Sequence, residues 1–230
     1  MFIVGENNSG VNSAVSMFRM WINLNKIDTA KHAVLFYGRL DQNTHFKLSN
    51  YIHLHIWNDY NIITLPGVFG YKSIDSGSKL LISTFTQQIT GKILDIGSGS
   101  GILSLALSKI SKNTSITMTE VNLFAIISSK ITLTYNAKPY QMLLSNLYSS
   151  VSHKFDMIMC NPPIHNNLQL SLQVTKSIIQ YSINYLKYGG ELRFVTNSCI
   201  SYHKILKNTF HKYKILIQNN HFKVYQAKLF

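Results

Sequence analysis

Lys92-Ile93-Leu94-Asp95-Ile96-Gly97-Ser98-Gly99-Ser100-Gly101 is a strand-length apolar run that closes on an acid and a glycine-rich loop. Leu103 to Ile110 then continues at helical spacing, so the loop joins a buried strand to a helix. Glycines there permit positive φ and let backbone come close to a ligand. A helix N-terminus behind such a loop would favour phosphate, but a dinucleotide fingerprint wants glycine at its sixth position. Counted from Gly97, that position is Ile102. The carboxylate of Asp95 repels phosphate and suits a cationic or amino-bearing ligand; the methionine moiety of S-adenosylmethionine fits this description. The competing reading is a glycine-rich helix start that binds nothing.

Outward from this loop the chain alternates. Gly77–Gln88 reads as a helix before it. After it come a strand at 115–119, a helix at 123–135, strands at 140–144 and 155–160, and a helix at 168–186 broken by Gly189-Gly190. A strand at 191–196, a helix at 202–210, and two apolar runs joined by Asn219-Asn220 complete the chain. Alternating strand and helix implies a parallel sheet covered on both faces, and the Asn-Asn turn implies a closing antiparallel hairpin. The expected class is α/β, Rossmann-like: a mostly parallel seven-stranded sheet with a C-terminal antiparallel hairpin.

In open α/β sheets ligands bind beyond the carboxyl ends of the strands, and candidate polar residues recur at that edge. Glu120 ends the strand after the glycine loop, where a carboxylate can accept hydrogen bonds from both hydroxyls of a ribose; otherwise it is a solvated acid. Ser145-Asn146 closes the next strand, and Asn146 is either a partner for an adenine amine or a loop cap. Phe155 to Cys160 stops at Asn161-Pro162-Pro163 because proline cannot donate to a ladder. The prolines stiffen the turn, so the Asn161 amide and a nearby carbonyl can act as fixed acceptors for one planar –NH2. A rigid surface turn is the plain alternative.

The remaining signals are weaker. Residues 2–5 read as a strand, Val11 to Trp21 as a helix, Ala33 to Tyr37 as a strand, and Tyr51–Trp57 with Ile62–Leu65 as a hairpin. His53 and His55 fall on the polar face of that hairpin, with no third ligand to make a metal site. The grammar changes at Pro66-Gly67, which divides the chain into residues 1–65 and 66–230. The 230 residues carry a formal net charge of +13, which favours an anionic partner, nucleic acid before membrane. Compositional drift is an equal explanation, because the excess is mostly scattered lysine. No signal peptide or spanning segment is evident. Cys160 and Cys199 lack metal-ligand spacing and read as small core residues of a reduced, cytoplasmic protein.

Taken together, these residues resemble the ribosomal RNA small subunit methyltransferase C family. The likeness runs through Phe2-Ile3-Val4-Gly5-Glu6-Asn7-Asn8-Ser9-Gly10-Val11, Leu65-Pro66-Gly67-Val68-Phe69 and Asp75-Ser76-Gly77-Ser78-Lys79-Leu80-Leu81. It continues through the glycine loop, Asp156 to Pro163, Gly189-Gly190-Glu191-Leu192-Arg193 and Phe222-Lys223-Val224-Tyr225. It implies a class I S-adenosylmethionine-dependent enzyme that methylates the exocyclic N2 of a guanine in 16S rRNA. It further implies cofactor contacts from Gly97, Gly99 and Glu120, with Asp75 lining the methionine end; Asp95, Gly101 and Asn146 complete the candidate cofactor-binding residues. Asn161, Pro162 and Pro163 would be the catalytic residues, and Phe69, Ile164 and His165 would lie beside the base.

Two departures stand out. The family places an aromatic after Asn-Pro-Pro, where this chain has Ile164, so stacking on the base would fall to Phe69 or Tyr71. Residues 1–65 look like a truncated α/β remnant of a longer non-catalytic domain. The partners implied are 16S rRNA and the 30S subunit, with no membrane, no metal and a monomeric chain. Adenine-N6 or glutamine-amide methylation would use the same Asn-Pro-Pro site, and an RNA-binding assembly factor of weakened activity is the reading from a different class.

Overall fold

The computed structural model describes residues 1–40, 45, 47–163 and 168–230, with Leu168 described by its backbone alone. The chain divides into two compact units, Met1–Leu48 and Ser49–Phe230.

The first unit holds β1 (Phe2–Glu6), α1 (Val11–Phe18), β2 (Asn25–Ala30) and β3 (Ala33–Tyr37) in an antiparallel sheet of order β1-β3-β2. Val11, Ile22, Leu24, Val34 and Phe36 form its core. β2 escapes a sequence reading because Asn-Lys-Ile-Asp-Thr-Ala has every side chain exposed and so shows no alternation. Backbone pairing to β3 makes the strand, and Lys31 and His32, with φ of 48 and 62, form the tight turn between them.

The second unit begins with the hairpin β4 (His53–Trp57) and β5 (Tyr60–Thr64), turned by Asn58 and Asp59 at positive φ. Then follow α2 (Ser76–Ile82), β6 (Gly91–Ile96), α3 (Ile102–Ile110), β7 (Thr114–Glu120), α4 (Leu123–Tyr135) and β8 (Gln141–Leu144). β9 (Phe155–Cys160), α5 (Leu168–Tyr185), β10 (Leu186–Asn197), α6 (His203–Thr209), β11 (Lys212–Gln218) and β12 (Phe222–Lys228) complete the unit. The seven-stranded sheet has the order β11-β12-β10-β9-β6-β7-β8. β10, β9, β6, β7 and β8 are parallel; β12 runs antiparallel to β10 and β11 antiparallel to β12, so the chain closes on an antiparallel hairpin, as the sequence implies. One apolar layer packs α2 and α3 on the sheet through residues such as Leu81, Leu105 and Met118. The other packs α5 and α6 through Ile179, Phe194 and Leu206. The chain leaves β6 toward β7 on one side and reaches β9 on the other, which opens a crevice at their carboxyl ends.

Several expectations are corrected. The division at residue 65 is not where the compact units part, because β5 is built into the second unit by side chains of α4. The Ile63 amide donates to Thr132 Oγ1 (3.0 Å), that hydroxyl donates to the Ile63 carbonyl (3.1 Å), and the Leu65 amide donates to Ser128 Oγ (3.0 Å). The expected polar face of β4 is inverted: Leu54 and Ile56 are exposed, whereas His53 and His55 are half-buried and His53 packs on Tyr71. α2 ends at Ile82, earlier than its apolar spacing suggests. β10 runs through Gly189-Gly190, because Gly189 takes φ 78 and the backbone keeps bonding to Leu229 on both sides of it (2.8 and 2.9 Å). Cys160 is buried but Cys199 is exposed, lying in the turn after β10 where its amide meets Asn197 Oδ1 (2.9 Å).

Candidate functional site

The crevice holds a cavity of about 460 Å³, within the range of small-molecule sites. Its walls come from the carboxyl ends of β6, β7, β8 and β9, from the 67–78 segment and from α5.

The glycine loop forms the floor. The amides of Gly97 and Ser98 both donate to the Thr119 carbonyl (2.9 and 3.2 Å), which ties the loop to the end of β7. Gly97 and Gly99 have φ of 68 and 56, and a Cβ on either would meet nothing within 4 Å. Their value is therefore conformational, together with the open backbone they present. Gly101 differs. It also has positive φ, but a Cβ there would lie 2.7 Å from Leu133 Cδ2 and 3.1 Å from Ser129 Cβ. It starts α3 and lets that helix close on α4; it is not on the cavity wall.

Glu120 joins the floor to the next turn. Its Oε2 accepts the Gly99 amide (3.0 Å), and its Oε1 accepts the amides of Val121 (2.8 Å) and Asn122 (3.0 Å). Asp95 does not reach the cavity. It is fully buried behind the wall, Oδ2 accepting from Ser104 Oγ (2.6 Å) and Oδ1 without a partner. Burial pushes its carboxyl up to about 7, a shift opposed by the Ser104 hydrogen bond and increased by Glu120. Asn146 is exposed at the wall and Phe69 lines it half-exposed, whereas Tyr71 is not among the lining residues.

Asp75, Ser78 and Asn161 form the opposite wall. Asp75 caps α2, its Oδ2 accepting the Ser78 amide (3.0 Å). The Asn161 Nδ2 donates to Asp75 Oδ2 and to Ser78 Oγ, both at 2.9 Å. A carboxylate only accepts, so the nitrogen of the Asn161 amide must face Asp75. Both of its hydrogens are then used, and what Asn161 has left to offer is its acceptor oxygen. Pro162, buried, and Pro163, exposed, hold the turn at the wall. Ile164 and His165 lie outside the described residues.

Ser78 and Asn122 are wall residues that a motif reading passes over. Both signals are local: Asp-x-x-Ser at the start of α2, and an Asn cap whose side chain accepts the Phe124 amide (2.9 Å) at the start of α4. Among the described residues the wall includes the carboxylates of Asp75 and Glu120 and no Lys or Arg, in a chain of net charge +13. Such a lining is wrong for a phosphorylated dinucleotide and right for a positively charged small molecule. S-adenosylmethionine, with its sulfonium, fits it. The described residues hold no group of three or more His, Cys, Asp or Glu able to take a metal ion.

The chain matches the methyltransferase small domain family over residues 59–226 and the N-terminal part of that family over residues 1–55. It is 48% identical to ribosomal RNA small subunit methyltransferase C of Buchnera aphidicola from Schizaphis graminum, over 100% of this chain and 68% of that protein. To the protein of the same name from Erwinia tasmaniensis it is 42% identical, over 99% and 66%. The chain thus spans about two thirds of the length of these curated relatives. Its fold is that of a Thermus thermophilus 16S rRNA N2 methyltransferase solved with AdoMet and guanosine. The TM-score is 0.84 and the identity 22%, over 100% of this chain and 64% of that one. A Lactobacillus ribosomal protein L11 methylase shares the fold at a TM-score of 0.57 and 18% identity, over 73% and 84%.

Proposed function

The chain belongs to the ribosomal RNA small subunit methyltransferase C family, and from that premise we propose that it methylates the exocyclic N2 of a guanine in 16S rRNA, using S-adenosylmethionine. The observation that carries the proposal is the wall opposite the glycine floor, where Asn161 is left with an acceptor aimed by Asp75 and Ser78. An acceptor of that kind grips an amine hydrogen and rejects a ring carbonyl. The chemistry is assigned to the unit Ser49–Phe230, working as a monomer on the small subunit in the cytoplasm.

The cofactor supplies a methyl group on a positively charged sulfur, which becomes neutral when the methyl leaves. Gly97, Gly99, Glu120 and Asn146 would hold it, with the Asp75 and Glu120 carboxylates favouring its charge. Asp95, buried near the end of β6 and bonded to Ser104 of α3, keeps the floor in shape and is assigned no ligand contact of its own. Asn161 Oδ1 and a main-chain carbonyl of the Asn-Pro-Pro turn would accept the two amine hydrogens and so orient the nitrogen lone pair for transfer. Holding reactants in line in this way supplies most of the rate. No strong base is needed, because the methylated amine can release its proton to water. The base has to leave its helix to reach the site, and Phe69, which lines the wall, is our candidate to pack against it. Lysines would meet the surrounding phosphates without reading sequence.

The test is tritium transfer from labelled S-adenosylmethionine to unmodified 30S subunits, with nucleoside analysis and Asn161→Ala in parallel. The expected product is N2-methylguanosine, absent in the variant. Transfer to DNA or to a protein glutamine in place of 30S would overturn the substrate. Cofactor binding without transfer to any of these would make the chain an assembly factor.

A further inference from the structure

The β11–β12 hairpin carries a second basin, of about 680 Å³, lined by His211, Lys212, Tyr213, Lys214, Gln226 and Lys228. Lys212 pairs directly with Lys228 across the strands, and Lys214 with Gln226. All three lysines are exposed, and none forms an ion pair among the described residues. The nearest acid in register is Glu191, opposite Lys228, and its two oxygens are taken by Arg193 and Gln226. Like charges placed directly opposite each other destabilise a sheet. Here the strand pair keeps two lysines in that position, and among the described residues neither is in an ion pair with a carboxylate. A bound polyanion would relieve this repulsion.

The basin's position says which polyanion. Three strand spacings separate β11 from β9, about 14 Å sideways, and the row of Lys228 and Glu191 lies about 10 Å along the strands from the ends that form the cavity. A nucleoside in the cavity cannot touch the hairpin, but a chain several nucleotides long can span the two. We infer that this hairpin basin is a second contact for the RNA phosphate backbone, separate from the cavity that takes the base. The inference rests on the rRNA reading for the identity of the polyanion.

The full chain and its K212Q/K214Q/K228Q variant would be titrated with a fluorescent stem–loop RNA of mixed sequence over a range of salt concentrations. Loss of three phosphate contacts should make the slope of log affinity against log salt shallower by about 2–3, and K214Q alone by about 1. Binding of S-adenosylmethionine should be unchanged in both, which shows the cavity intact. An unchanged slope in the triple variant would overturn the inference and leave the lysines as guards against pairing at an edge strand. With 30S transfer intact, that result would spare the function proposed above. A shallower slope with no 30S transfer by the parent chain would do the reverse.

Discussion

Asp75→Asn tests how the site is aimed. Asn and Asp cap helices about equally well, so α2 should keep its start, and unfolding by urea should shift by no more than the roughly 1 kcal/mol that the weakened Asn161 bond contributes. The bond from Asn161 Nδ2 to Asp75 Oδ2, 2.9 Å long, loses its charge. Charged hydrogen bonds contribute about 1.5–3 kcal/mol and neutral ones about 0.5–1.5, a difference of about 1.4 kcal/mol, or roughly tenfold in rate. An Asn at this position can also present nitrogen to Asn161, so the orientation is no longer imposed. Steady-state transfer to 30S subunits should show kcat lowered about tenfold with the KM for S-adenosylmethionine changed much less. In an Asn161→Ala background the same change should add nothing, because the two act as a unit. A raised KM for the cofactor with unchanged kcat would refute the reasoning, since the carboxylate would then act on the ligand's charge alone and do nothing through Asn161.

Other outcomes follow from the same geometry. Gly101→Ala should cost about 2–5 kcal/mol in urea unfolding, combining the left-handed backbone with the clash against Leu133 and Ser129. Gly97→Ala, with nothing near its Cβ, should cost only about 1–2 kcal/mol but weaken S-adenosylmethionine binding measured by calorimetry. Asp95 has a folded-state pKa raised to about 7, so the native state binds the extra proton and stability falls as pH rises from about 4 through 7. Asp95→Asn, which keeps an acceptor for Ser104, should flatten that dependence and be the more stable chain at pH 8 by a few kcal/mol, the difference vanishing near pH 4 in urea titrations. Asn122→Ala should cost about 1 kcal/mol through the lost cap of α4, read from the same unfolding curves.

Much of this protein was legible one-dimensionally. The alternation from Gly91 to Lys228 determined a parallel sheet with a closing hairpin, because strand and helix periods differ and turn residues stand between them. The glycine loop, Glu120, Asn146 and Asn-Pro-Pro all had to fall on one edge, since each follows a strand in a sheet whose central strands are parallel. Only the tertiary structure decided which of them face the cavity. Asp95 precedes the glycines whether it points at a ligand or into the core, and packing against Ser104 of α3 put it in the core. Gly101 belongs to the same glycine-rich string as Gly97, yet its demand comes from Leu133 on another helix. β2 had no periodicity to read, because a strand with every side chain in water is specified by its partner's backbone. The hairpin at 53–64 joined the larger unit through hydroxyls of α4 roughly seventy positions away. The orientation of the Asn161 amide depends on Asp75 and Ser78, 86 and 83 positions upstream. Local sequence carries local periods and turns. Which acceptor an amide meets across such a separation is settled only when the strand and the helix have packed.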